Sequence, residues 1–163
     1  MAATGKKAAP ADEQGVQGFE LKAFAVQLRR LTGEINRFAH EFAADQGLHT
    51  TDVQALGAIM DAQAPLTPGR LGEHLGLTSG AVTACLDRLE RAGHIRRVRE
   101  SPDRRVVHLH YLPEARTTAR AHFLPLAEAT ARAQEGFTPD ELVSALRLLR
   151  AVSDELESLN KGH

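Results

Sequence analysis

Leu66-Thr67-Pro68-Gly69-Arg70-Leu71-Gly72-Glu73-His74-Leu75-Gly76-Leu77-Thr78-Ser79-Gly80-Ala81-Val82-Thr83-Ala84-Cys85-Leu86-Asp87-Arg88-Leu89-Glu90-Arg91-Ala92-Gly93 decides the fold. Thr67 before Pro68 reads as a helix cap and first helical residue, because the hydroxyl takes an orphan N–H and proline has none to waste. Gly76 suits the left-handed conformation that ends helices, so this helix stops near Leu75. Thr78 is a second cap only a few residues later. Two short helices joined by a tight glycine turn make a helix-turn-helix. At about 100° per residue, Val82, Cys85, Leu86 and Leu89 share one face of the second helix. Gly80, Thr83, Ala84, Asp87 and Arg91 share the other.

A helix that enters the major groove of DNA needs small residues and hydroxyls near its N-terminus, which Ser79, Gly80 and Thr83 supply. An ordinary amphipathic helix would read the same way, and the next segment separates the two. Ile95-Arg96-Arg97-Val98-Arg99 and Arg105-Val106-Val107-His108-Leu109-His110-Tyr111 both alternate like strands around the breaker Ser101-Pro102-Asp103. Seven arginines and three acids (Glu90, Glu100 and Asp103) lie between Arg88 and Arg105, in a chain whose formal net charge is −1. Positive charge is thus concentrated where phosphate contacts would be made.

The order of helix-turn-helix, Arg-Ala-Gly-His-Ile-Arg-Arg, and Asp103-Arg104-Arg105-Val106-Val107 in a wing resembles the MarR family of winged-helix transcription regulators, over residues from about 18 to 160. The fold class implied is mainly α with a small two-stranded β wing. Asp103 and Arg105 match that family's Asp-x-Arg wing motif. The resemblance implies that Arg105 reaches into the minor groove while Asp103 holds its guanidinium. Thr67, Thr78, Ser79, Gly80, Thr83 and Arg88 are then expected at the major groove or its flanking phosphates, and Arg97, Arg99 and Arg104 on the wing.

Length and composition set bounds. A chain of 163 residues, 42% apolar and 25% charged, can bury a sizeable core as one domain with extensions. It has no apolar run long enough to cross a bilayer and no leader pattern, and its single cysteine fits a reducing compartment. The expectation is a cytoplasmic protein. Near-neutral balance argues against a non-specific nucleic-acid coat protein and favours a local site.

Outward from the centre, residues 1–17 lack periodicity and read as a flexible tail. Residues 18–47 read as one long helix, with Leu21, Phe24, Leu28, Leu31, Ile35, Phe38 and Phe42 at spacings of three and four. That helix is too long for one compact lobe, so it either bridges two lobes or packs on another chain. Thr51-Asp52-Val53-Gln54 reads as a capping box opening a helix that turns Val53, Leu56, Ile59 and Met60 inward and stops at Ala64-Pro65. Residues 48–112 thus form the winged lobe. Residues 113–160 carry two more helices: one opens at Pro113-Glu114, is kinked by Pro125 and ends at Gly136, and one opens at Thr138-Pro139-Asp140-Glu141. Leu142, Leu146, Leu149, Val152, Leu156 and Leu159 trace a stripe on the last. Seams at both chain ends have few partners in one small chain, which points to a two-fold homodimer on an inverted-repeat DNA site.

Other chemistry is weakly represented. Among eight histidines, His40 with Glu41, His108 with His110, and His122 are the only metal candidates, and none has a strong ligand spacing. No metal or cofactor is expected. No phosphate loop, nucleophile motif or carboxylate pair points to an enzyme. Cys85 is a candidate redox trigger, although it shares the core face of its helix. The family resemblance implies a small effector bound where helices meet the winged lobe, and Phe38, His40, Phe42, Met60 and Tyr111 are the residues that would line such a crevice. Two alternatives stay open: a winged-helix protein-interaction module without DNA, and a thiol- or metal-triggered regulator.

Overall fold

A computed structural model describes residues 11–99 and 106–161. Among them, six helices and a two-stranded antiparallel sheet follow one another as α1 (Ala11–Gln46), α2 (Thr50–Asp61), α3 (Pro68–Leu75), α4 (Ser79–Arg91), β1 (Ile95–Val98), β2 (His108–Tyr111), α5 (Pro113–Gln134) and α6 (Pro139–Lys161). The chain divides into two compact units, Met1–Arg37 and Phe38–His163. The described part of the first unit is helix, the N-terminal portion of α1. On it Leu21, Val26, Leu31 and Ile35 are exposed.

The second unit holds the core. Thr67 Oγ1 accepts from the Arg70 N–H and Thr78 Oγ1 from the Ala81 N–H, both at 3.3 Å. Gly76, at φ +64°, ends α3 in the left-handed conformation, and its N–H donates to the Gly72 carbonyl. The buried face of α4 is Val82, Cys85, Leu86 and Leu89, as its periodicity predicts. Fully burying one such leucine stabilises by roughly 1.5–3 kcal/mol. These side chains pack with Phe42 of α1, Ala55, Leu56 and Ile59 of α2, Leu71 of α3, Ile95 of β1 and Leu109 of β2.

In the sheet Ile95 pairs with Tyr111, Arg96 with His110, Arg97 with Leu109 and Val98 with His108. Leu66 adds an isolated antiparallel bridge to Leu109, whose N–H donates to the Leu66 carbonyl at 2.8 Å. The helix pair is thereby tied to the wing through the residue just before Thr67. The strands are shorter than expected: Arg99, Val106 and Val107 lie outside them, and the breaker Ser101-Pro102-Asp103 lies outside the described residues.

Three boundaries differ from expectation. The first helix begins at Ala11, before Gly18, so residues 11–17 are helical and not part of a flexible tail. The second helix is capped by His49, with the Asp52 carboxylate accepting from the His49 N–H at 2.9 Å, so the box sits two residues before its expected place. It stops at Asp61, ahead of Ala64-Pro65, and leaves Met60 exposed, not inward. α5 continues through Pro125, where it forgoes one backbone bond. Thr138 and Glu141 close the last capping box as predicted: Glu141 Oε2 accepts from both the Thr138 N–H and its hydroxyl at 2.8 Å.

Candidate nucleic-acid interface

The N-terminus of α4 presents Thr78, Ser79, Gly80 and Thr83 to solvent. Core burial of the opposite face fixes this orientation, and the Thr78 cap fixes where the helix begins. The first N–H groups of a helix lack intrahelical partners and point outward, so an acceptor-rich surface fits there. Thr83 donates its hydroxyl to the Ser79 carbonyl at 2.9 Å, which leaves its oxygen free to accept. Thr67 caps α3 and is half-buried.

Small residues also set how closely α3 and α4 approach. A Cβ at Gly72 would stand 3.0 Å from Val82 Cγ2 and 3.3 Å from the Leu77 carbonyl oxygen. The Leu77 N–H donates to the Gly72 carbonyl at 2.9 Å, closing the turn. Gly72 was not singled out from sequence, although its place one turn before Gly76 was a usable signal.

The arginines divide into two groups. Arg88, expected at DNA, is turned inward: its Nε donates to Asp52 Oδ2 at 2.8 Å and its Nη2 to Asp52 Oδ1 at 2.7 Å. Asp52 is fully buried, while 27% of the Arg88 side chain is exposed. Arg88 thereby supplies the counter-charge that makes burial of Asp52 tolerable. Burial pushes the Asp52 carboxyl up, but hydrogen bonds from Arg88, the His49 N–H and the Cys85 thiol outweigh it and hold it below its usual range. Arg97 is also engaged within the protein. Its Nη1 donates to Glu90 Oε2 at 2.8 Å, its Nη2 to Asp87 Oδ1 at 2.7 Å, and its backbone N–H to Glu90 Oε1 at 3.1 Å. Arg91, Arg96 and Arg99 are exposed. Asp103, Arg104 and Arg105 lie outside the described residues.

Burial, followed by the hydrogen bond to the Asp52 carboxylate, pushes the Cys85 thiol up to about 12, with Arg88 pulling the other way. At neutral pH it stays a protonated, buried thiol, and the thiolate is the reactive form.

The residues expected to line an effector crevice differ in burial. Phe42 is a core side chain, its ring 5.2 Å from His122, 5.5 Å from Phe123 and 6.0 Å from His94. His40 and Met60 are exposed, and Phe38 and Tyr111 are half-buried. The Phe38 carbonyl accepts from His122 Nε2 at 3.1 Å, and the Tyr111 ring lies 5.8 Å from the Arg116 guanidinium. A cavity of about 1020 Å³ is lined instead by residues that include Ala58, Asp61, Leu66, Arg70, His74 and Glu157. Among the described residues no group of three or more His, Cys, Asp or Glu side chains is placed to hold a metal ion, and no helix is long and apolar enough to cross a membrane.

Residues 46–106 match the MarR family. The chain is 43% identical over 89 residues to an uncharacterized HTH-type transcriptional regulator, YcgE of Bacillus subtilis, covering 54% of this chain and 57% of that protein. It spans about half the length of the curated relatives it matches. Among solved structures it resembles FabT of Streptococcus pneumoniae in complex with DNA, at 29% identity and a TM-score of 0.58, over 83% of this chain and 99% of that one. A MarR family protein from Bacillus stearothermophilus shares the fold at a TM-score of 0.62 and 22% identity, over 91% and 99% of the two chains.

Proposed function

We propose that the chain, which matches the MarR family over residues 46–106, is a MarR-type winged-helix transcription regulator, a homodimeric, cytoplasmic repressor that occupies an inverted-repeat DNA site and leaves it when a small effector binds. The observation that carries the DNA-binding part is the exposed, hydroxyl-bearing N-terminus of α4 beside a wing rich in arginine. Thr78, Ser79, Gly80 and Thr83 would read base edges or flanking phosphates. Arg99, Arg104 and Arg105 would grip the backbone and minor groove, with Asp103 steadying Arg105. That FabT was solved with DNA supports the reading.

Dimerisation is supported by apolar residues left uncovered in the single chain. Leu146, Leu149 and Leu156 of α6 are 44–56% exposed, and Leu21, Leu31 and Ile35 of α1 are exposed as well. Stripes of this kind on a monomer mark an interaction face. Residues 18–47 and 113–160 would pair with their copies, and residues 48–112 would carry the DNA-reading lobe.

The experiment is operator binding at fixed salt, with a duplex selected by the protein from a random pool. Arg105→Ala should weaken binding by roughly 1–3 kcal/mol. Unchanged affinity would remove Arg105 from the interface and the wing from the mechanism.

A further inference from the structure

Arg97 has the sequence position of a phosphate-binding wing residue but not the surroundings of one. Thr83, Asp87 and Glu90 succeed one another at spacings of four and three, so they share one face of α4. The Arg97 fork crosses from β1 to all three, reaching the Glu90 carboxylate at 2.8 Å, the Asp87 carboxylate at 2.7 Å and the Thr83 carbonyl at 3.4 Å. Three of its five side-chain N–H donors are thereby used within the protein. Glu90 also accepts the Arg97 backbone N–H at 3.1 Å, so one carboxylate holds both the side chain and the strand. Only 27% of the Arg97 side chain is exposed, against 48% for Asp87 and 41% for Glu90.

We propose that Arg97 is a positioning residue that straps β1 to the Thr83–Asp87–Glu90 face of α4, so that the wing and the reading helix meet DNA as one body and Arg97 itself contacts no phosphate. This rests on the DNA-binding reading above. The strap depends on shape as well as charge. A planar guanidinium can bridge two carboxylates and a carbonyl at once, whereas a lysine ammonium is a compact point charge. A phosphate contact depends mainly on charge.

The test compares Arg97→Lys, Arg97→Ala and Glu90→Gln with the unaltered protein, using a duplex the unaltered protein has selected. Arg97→Lys should lose about fivefold or more in affinity, close to Arg97→Ala. The slope of log affinity against log salt should stay the same in both. Glu90→Gln should weaken binding too, although it removes a negative charge beside the DNA. Near-native affinity in Arg97→Lys, a salt slope reduced by about one in Arg97→Ala, or tighter binding in Glu90→Gln would overturn the inference. Deuterium exchange without DNA reads the strap separately: Arg97→Lys should speed exchange at the Ile95–Val98 amides while the α2 amides keep their rates. Unchanged exchange in β1 would overturn it as well. If the unaltered protein selected no duplex, the regulator reading would fall and the strap would stand or fall on this exchange measurement.

Discussion

At the scale of single residues, His94 is the polar side chain whose burial has the plainest consequence. It sits where α4 gives way to β1. Its N–H donates to the Leu89 carbonyl and its carbonyl accepts from the Leu112 N–H, both at 2.9 Å. The ring is buried, set edge-on to Phe42, and neither nitrogen has a hydrogen-bond partner among the described residues. Burial therefore lowers its pKa from the ordinary 6.5. The unfolded chain takes up a proton near that ordinary value while the folded chain does not. The stability contributed by neutral His94 is thus complete above about pH 6.5 and declines as the pH falls toward the depressed folded value, by up to about 1.4 kcal/mol per pH unit. Denaturant unfolding at pH 7.5 and 5.5 should show this loss, and His94→Leu should lose less on acidification. Equal losses in the two proteins would contradict the assignment. What sequence reveals at this scale follows range. The Thr67, Thr78 and Thr138–Glu141 caps are local, and all three are where local chemistry puts them. The Asp52–Arg88 pair joins positions 36 apart, and nothing in a helical period distinguishes an arginine held by a buried acid from one offered to DNA. The Arg97 contacts to Asp87 and Glu90 likewise join positions 10 and 7 apart, across two elements.

At the scale of elements, the elbow between α3 and α4 sets the pose of α4. Gly72 allows the approach, and Gly76 supplies the left-handed turn. Gly72→Ala should destabilise by about 1–3 kcal/mol, the usual range for an overpacked contact, because Val82 and the Leu77 carbonyl must both move. Gly69→Ala, where a Cβ meets nothing within 4 Å, should be neutral or stabilising by up to about 1 kcal/mol. Thermal or denaturant midpoints for the pair check this, and equal effects would mean that packing does not set the elbow. Element types were readable because hydrophobic period and cap chemistry agree in α3, α4 and α6. Boundaries were less readable. α1 runs from Ala11 through Gly15 and Gly18, which sequence reading took as its boundary, and α2 starts one residue after His49 because Asp52, not Gln54, closes its box.

At the scale of the whole molecule, the described residues include exposed leucines on α1, an apolar stripe on α6 and, at the start of α4, the exposed Thr78, Ser79, Gly80 and Thr83. A stable protein interface buries roughly 1,200–2,000 Å², and stripes on two long helices offer apolar area for such a contact. Two-fold pairing would set a second α4 about one DNA turn from the first, roughly 34–36 Å away. On that proposal the symmetry of a DNA target would be a property of the assembly, encoded by no single residue. The most direct measurement is selection of bound sequences from a random duplex pool, with the mass of the resulting complex determined. The account predicts an inverted repeat whose half-sites are centred one helical turn apart, occupied by two chains. A selected pool with no two-fold symmetry, or one chain per duplex, would contradict it.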